Sequence, residues 1–311
     1  MKVLVTGASG QLGHDVMNEL AKRGYDGIGT GSKEIYSGIS DGSAVVTMPY
    51  VQMDLTDAES VKETIRKISP DAVIHCAAWT AVDLAEDEDQ QEAVYAVNAD
   101  GTRAIAEACK ELGCKMLYTS TDYVFSGQGT DPWQADCREF APLNVYGKSK
   151  LLGELAVSEL LERYFIVRIA WVFGTNGKNF VRTMLNVGKK HKQIKVVQDQ
   201  IGTPTYTQDL SVLLVDMIET DKYGCYHATN EGGYISWYDF TKEIFRQAVN
   251  MGHTQYQDVE VLPVTTAEYG ASKAARPFNS RLDKSKLAEN GFHPLPAWQN
   301  ALERYLQEIE I

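Results

Sequence analysis

Residues 1–25 read MKVLVTGASGQLGHDVMNELAKRGY. The run from Lys2 to Thr6 is short, apolar and rich in β-branched residues, and glycine follows it at once. Such a run reads as a strand buried on both faces. From Gln11 the period changes. Leu12, Val16 and Leu20 fall on one helical face, and Gly24 supplies a helix stop. Strand, glycine turn and helix together open a βαβ unit. Gly7, Gly10 and Gly13 have GxxGxxG spacing across that turn. Glycine there lets the backbone turn tightly and approach a pyrophosphate, which sits at the positive helix N-terminus. The spacing alone is also that of a plain strand–helix turn. Its place at the head of a βαβ chain favours the phosphate reading.

Outward from this unit the alternation continues. DGIGTG (26–31), YVQMDL (50–55), DAVIHCAA (71–78), KMLYTST (115–121) and YFIVRIA (164–170) read as strands. Helices are expected over 57–68, 86–112 and 144–162, the first capped by Asp57. Residues 34–49 read as an irregular surface excursion. The expected fold is α/β, a Rossmann-type doubly wound parallel sheet. After residue 171 the regularity loosens. Helical patterns at 178–192, 207–220, 237–249 and 297–309 flank the short strand IKVV (194–197). Residues 1–170 are read as a NAD(P)-binding Rossmann domain to which later segments return. Residues 171–311 are read as mainly a smaller, C-terminal substrate-binding lobe.

Composition excludes several classes of function. The 311 residues are 44% hydrophobic and 23% charged, as expected of a globular protein. No run approaches the roughly 20 apolar residues of a membrane span, and the opening run does not read as a signal peptide. Thirty basic against 42 acidic residues give a net charge of −12, which argues against a nucleic-acid face. The five cysteines are scattered, with no CxxC pair. They read as reduced thiols in a cytoplasmic compartment. The six histidines show no HxxxH or HxH spacing, so no metal site is read.

LNVYGKSKLLGE (143–154) places Tyr146 and Lys150 four residues apart, on one helical face. A phenol titrates near pH 10, and a neighbouring ammonium is expected to lower that value. The pair then reads as a tuned acid/base. The strand ending in Ser120 and Thr121 precedes it and offers a hydroxyl to a carbonyl oxygen that gains charge as hydride arrives. The second strand ends in TGSK, with no carboxylate before Glu34 to hold a ribose 2′-hydroxyl. Ser32 and Lys33 instead suit a 2′-phosphate, which favours NADPH over NADH. His75 is read as a strand residue without chemistry. Asn98 is read as a helix kink or as the holder of a relay water.

TGASGQLG, HCAAWTAVDLAE, VNADGT, STDYVFSG, YGKSK, RIAWVFG and RPFNSRLD, taken in order along the chain, resemble the extended short-chain dehydrogenase/reductase superfamily. Within it they are most similar to the dTDP-4-dehydrorhamnose reductase branch. The resemblance implies an NAD(P)H-dependent reduction of a nucleotide-sugar ketone. It implies Tyr146 as proton donor, Lys150 as its partner on the ribose, and Thr121 as the completing hydroxyl. It implies Gly10, Gln11 and Leu12 over the pyrophosphate, beside the Gly7 read from the spacing, Asp54 and Leu55 beside the adenine, and Ala77, Ala78 and Thr80 along the cofactor. Val82, Asp122, Phe125, Trp171 and Arg276 are implied on the sugar-nucleotide side. Val82, Phe125 and Trp171 also suit plain packing. Some members of the superfamily are associated with Mg2+ at a subunit contact, and many form homodimers. Two departures stand out: Trp79 precedes Thr80 where a small residue or a histidine is more usual, and residues 34–49 lie near the adenosine end. Other readings are a non-catalytic NADP-binding subunit, like the β subunit of methionine adenosyltransferase, or another nucleotide-sugar reductase or epimerase. TGSK disfavours an epimerase, which needs an acid there.

Overall fold

Strand and helix alternate through the first half of the chain, as the change of period at Gln11 predicts. The computed structural model describes residues 1–311. It has β1 at Lys2–Thr6, α1 at Gln11–Lys22, β2 at Asp26–Gly31, β3 at Tyr50–Gln52, α2 at Ala58–Ile68 and β4 at Ala72–His75. Then come α3 at Glu88–Tyr95, α4 at Gly101–Leu112, β5 at Lys115–Thr121, α5 at Val145–Leu160 and β6 at Tyr164–Ile169. The elements β7 (Val172–Phe173), α6 (Phe180–Lys190), β8 (Gln193–Val197), β9 (Ile201–Gly202), β10 (Thr205–Tyr206) and α7 (Thr207–Ile218) follow. The chain ends with β11 (Gly224–His227), β12 (Ile235–Ser236), α8 (Trp237–Asn250), β13 (Glu260–Val264), α9 (Thr266–Tyr269), α10 (Ser285–Glu289) and α11 (Trp298–Glu308).

Seven strands form one sheet in the order β11-β6-β5-β4-β1-β2-β3, every neighbour parallel. The chain runs outward from β1 to β3, then crosses to β4 on the other side of β1. That reversal opens a crevice beyond the carboxyl ends of the strands, where such folds gather ligands. The register places Thr6 opposite His75 and Thr121 opposite Ile169, so these strand ends border the crevice together.

Alternate strand residues serve opposite faces. Val3 and Val5 pack with Leu12, Val16 and Leu20 of α1 and with Leu210, Leu214 and Met217 of α7. Leu4, Val73 and Met116 pack with Val61, Ile65, Ile105 and Cys109 of α2 and α4. A third core, built on Val181, Leu185, Phe240, Ile244, Trp298 and Tyr305, belongs to α6, α8 and α11. The chain therefore leaves the sheet after β6 and returns to it with α7 and β11.

Two expectations are refined. The helix expected over 86–112 starts at Glu88 and carries a π-helical turn at Ala96–Asp100. Residues 34–49 are not a free excursion, because their polar groups find partners on α1, on the glycine turn and on the segment between β7 and α6. The Ser37 N–H donates to Ser9 Oγ at 2.9 Å, and the Ile39 N–H to Asn176 Oδ1 at 3.1 Å. Tyr36 Oη lies 2.6 Å from His14 Nδ1, and Val45 is buried.

Candidate active site

The crevice is a cleft of about 660 Å³. Its wall begins at the glycine turn. Gly7 has φ +69°, and a Cβ there would lie 2.8 Å from the Ala77 backbone. A Cβ on Gly13 would lie 2.2 Å from the Gly7 carbonyl oxygen. The turn and α1 thus approach each other and β4 as only glycine allows. Gly10 starts α1 and no side chain caps it, so the first-turn N–H groups lack a side-chain acceptor. Gly7, Gly10, Gln11 and Leu12 all line the cleft. This cradle of backbone amides at a helix N-terminus fits a dinucleotide pyrophosphate.

The other expected cofactor contacts gather along the same cleft. Ser32, Lys33, Asp54, Leu55, Ala77, Ala78 and Thr80 line it, and so do Ser37 and Tyr50. No carboxylate stands at the end of β2. The segment leaving β4 is pinned by Asn98, in the π-helical turn. Asn98 Oδ1 accepts from the Trp79 N–H at 2.8 Å, and its Nδ2 donates to the Trp79 carbonyl at 3.1 Å and to Ser149 Oγ at 2.9 Å. The buried amide therefore ties the cofactor wall to α5, and the kink reading of Asn98 fits its contacts. Buried His75 has Thr6 Oγ1 2.6 Å from Nδ1 and Thr102 Oγ1 3.0 Å from Nε2. Burial holds its imidazole down at about 3, hence neutral.

Thr121, Tyr146 and Lys150 meet on the floor of the cleft. Thr121 ends β5, and its hydroxyl donates to Asp122 Oδ1 at 3.1 Å. Asn144 caps α5 by accepting from the Gly147 N–H at 2.7 Å, which sets the helix start at Val145, one residue before Tyr146. Tyr146 packs edge-on against Tyr123, with ring centroids 5.5 Å apart. Lys150 is 2% exposed. Its Nζ donates to the Thr119 carbonyl at 2.8 Å and stands 4.1 Å from the Tyr118 ring centroid.

The electrostatics differ from the expectation. Burial pushes the Tyr146 phenol up from its ordinary value, only partly opposed by a hydrogen bond with Thr121. Burial brings the Lys150 ammonium down to about 7, against the pull of Glu154. The lysine does not lower the phenol here. Its charge is spent on Thr119 and the Tyr118 ring, and desolvation dominates both groups.

Val82, Asp122 and Trp171, expected on the sugar-nucleotide side, line the cleft. Asp122 Oδ2 is buried without a partner, and burial raises its carboxyl to about 6. Trp171 has φ +51° and stacks on Trp237 at 3.7 Å between centroids. Arg276 lines a neighbouring cavity of about 380 Å³ that shares Trp171, Trp237 and Tyr123 with the cleft. Phe125 is the one expected contact that lies elsewhere. It is fully buried, stacked 4.6 Å from Trp133 and 5.0 Å from the Arg168 guanidinium, and lines neither cavity. Its side chain points into the core beneath the turn that follows β5, so packing claims it. Tyr123, Trp237 and Lys195 border the cavities and were not expected there. No sequence spacing links them to the glycine turn. Only folding brings α8 and β8 across the sheet end. No group of three or more His, Cys, Asp or Glu side chains converges to hold a metal ion, and no carboxylate set for Mg2+ is found. No helix is long and apolar enough to cross a membrane.

The family model described as RmlD substrate binding domain matches residues 1–311. The chain is 36% identical over 307 residues to the spore coat polysaccharide biosynthesis protein SpsK of Bacillus subtilis, across 99% of this chain and 97% of that one. It is 35% identical over 319 residues to dTDP-4-dehydrorhamnose reductase of Escherichia coli K12, across 99% and 98%. The solved structure of dTDP-4-dehydrorhamnose reductase from Bacillus anthracis in complex with NADP is 40% identical, covers 99% of this chain and 100% of that one, and has a TM-score of 0.86.

Proposed function

The chain belongs to the RmlD substrate binding domain family, and from that premise we propose that it is an NAD(P)H-dependent oxidoreductase, a dTDP-4-dehydrorhamnose reductase. It reduces the C4 ketone of dTDP-4-dehydro-L-rhamnose to the alcohol of dTDP-L-rhamnose. The observation that carries this reading is the meeting of Thr121, Tyr146 and Lys150 in the same cleft as an uncapped, glycine-lined helix N-terminus.

Bound in the cleft, the reduced nicotinamide supplies the hydride. The chain supplies the rest. Tyr146 gives its proton to the sugar oxygen. A phenol held above its ordinary value keeps that proton at neutral pH and gives it up only as the oxygen becomes strongly basic. The Thr121 hydroxyl, rotated from Asp122 Oδ1 to the same oxygen, orients it and steadies its developing charge. Lys150 would hold the ribose of the bound cofactor, and its positive charge there would favour the phenolate left once the proton has gone. The first-turn amides of α1 take the pyrophosphate. Ser32 and Lys33, which precede Glu34 and leave no carboxylate at the end of β2, favour a 2′-phosphate and so NADPH. Val82, Asp122 and Trp171 border the sugar, and Arg276 takes the substrate diphosphate by charge-assisted hydrogen bonds.

The test is turnover of enzymatically prepared dTDP-4-dehydro-L-rhamnose, read as loss of the near-ultraviolet absorbance of NADPH and, separately, of NADH. Turnover with NADPH ahead of NADH is expected. Tyr146→Phe is expected to lower kcat by about a hundredfold or more, with the dissociation constant for NADPH within about twofold of the parent. Parent-like turnover in that variant removes Tyr146 as the acid. NADPH binding without turnover in the parent chain removes the reductase reading in favour of a non-catalytic nucleotide-binding subunit.

A further inference from the structure

Arg276 is the side chain assigned to the substrate diphosphate, and a flexible guanidinium is useful there only if it is aimed. Three of its nitrogens are committed. Nη2 donates to Asp83 Oδ2 at 2.6 Å, Nη1 to the Tyr123 hydroxyl at 3.3 Å, and Nε to Ser272 Oγ at 3.1 Å. A guanidinium has five N–H groups, so two remain for a ligand in the cavity that Arg276 lines. Asp83 spends both its oxygens on this one segment. Oδ2 takes the guanidinium, and Oδ1 accepts from the Ala274 N–H at 3.0 Å. One carboxylate, on the segment between β4 and α3, therefore fixes both the backbone before Arg276 and the plane of its side chain. The Asn144 amide helps by donating to the Ala275 carbonyl at 2.8 Å.

We propose that Asp83 is a positioning residue for nucleotide-sugar binding: it holds the 274–276 segment across the cavity and aims Arg276 at the diphosphate. The inference rests on the reductase reading for the identity of the ligand. It opposes the simpler electrostatic expectation, in which an acid next to a diphosphate site weakens binding. Asp83 is 45% exposed and Arg276 27% exposed. Water therefore screens much of the repulsion between Asp83 and a bound diphosphate. The aimed hydrogen bonds are short-ranged and lose far more when the guanidinium swings away.

Asp83→Asn keeps the acceptor for Ala274 and replaces the guanidinium's partner. Calorimetric titration of the full chain with thymidine diphosphate reads the effect without needing turnover. Affinity for thymidine diphosphate is expected to fall about three- to tenfold, affinity for thymidine to stay unchanged, and KM for the nucleotide sugar to rise in parallel with kcat intact. The double variant Asp83→Asn/Arg276→Gln is expected to bind no worse than Arg276→Gln alone, since Asp83 acts through Arg276. Asp87→Asn breaks only the neighbouring ion pair with Lys273 and is expected to change nothing. Equal or tighter binding of thymidine diphosphate by Asp83→Asn overturns the inference, and so does additivity in the double variant. A parent chain that binds no thymidine diphosphate and reduces no substrate overturns the reductase reading as well.

Discussion

Lys150 is pulled in two directions. Burial lowers its ammonium to about 7, while Glu154 raises it. It is therefore charged in acid and loses its proton as the pH climbs through 7. If the charged form engages the cofactor ribose, kcat/KM for the coenzyme, which reports the free enzyme, should be flat below pH 6 and fall above about 7. Lys150→Met should show a lower rate with no alkaline limb. A limb displaced towards pH 10 in the parent would mean that burial does not tune this lysine. The lysine and tyrosine were legible in the sequence because i, i+4 spacing is a property of any helix. Their electrostatics were not. The acceptor of Lys150 Nζ is the Thr119 carbonyl, 31 residues away, so a local motif could not reveal that the ammonium is held by the end of β5. Phe125 failed for a related reason. Asp122, three residues before it, faces the cleft while Phe125 stacks on Trp133 and Arg168, and the single 3₁₀ turn of Asp122–Val124 is too short for a repeat to separate the two directions.

At the scale of elements, the contact between the glycine turn and α1 carries the cofactor reading. Alanine at Gly13 would place a Cβ 2.2 Å from the Gly7 carbonyl oxygen and 2.9 Å from Ala8 Cα. Backbone cannot yield as a side-chain tip does, so α1 must move off the turn. We expect Gly13→Ala to cost about 1–3 kcal/mol of stability, the usual range for overpacking, and to weaken NADPH binding tenfold or more. Urea unfolding and fluorescence titration of NADPH check this. Binding of thymidine diphosphate, which uses the other side of the cleft, should be unaffected, and a variant that keeps its NADPH affinity would show that the turn is not the pyrophosphate cradle. Long elements such as α1 were readable because a buried stripe repeats along them. The pairs β7 with β10 and β9 with β12 have two residues per strand, too few for alternation to register. Gly224–His227 hid for another reason: GCYH is short, opens with glycine at φ +129°, and is a strand only because β6 offers an unpaired edge.

For the whole molecule, sequence order and spatial order part company after residue 170. The helix α7 buries Leu210, Leu213, Leu214, Val215, Met217 and Ile218, most of them against the β1 and α1 side of the sheet, and β11 covers the edge of β6. At roughly 1.5–3 kcal/mol for each fully buried apolar side chain, the six on α7 supply on the order of 9–18 kcal/mol. That is comparable with the whole stability of an ordinary domain. The boundary drawn near 170 follows the end of regular alternation, and it cuts through this core. A fragment of residues 1–170 should therefore lack a cooperative thermal transition by circular dichroism and should not bind NADPH, even though it contains the glycine turn, Thr121, Tyr146 and Lys150. A fragment ending after β11 restores the helix and the edge strand and should regain cooperative unfolding. If residues 1–170 fold and bind NADPH alone, the returning segments are an ornament on an autonomous domain. If they do not, the sheet half of the cleft is completed by chain that has already passed through α6 and β8, and the two halves of the cleft form in a single folding event.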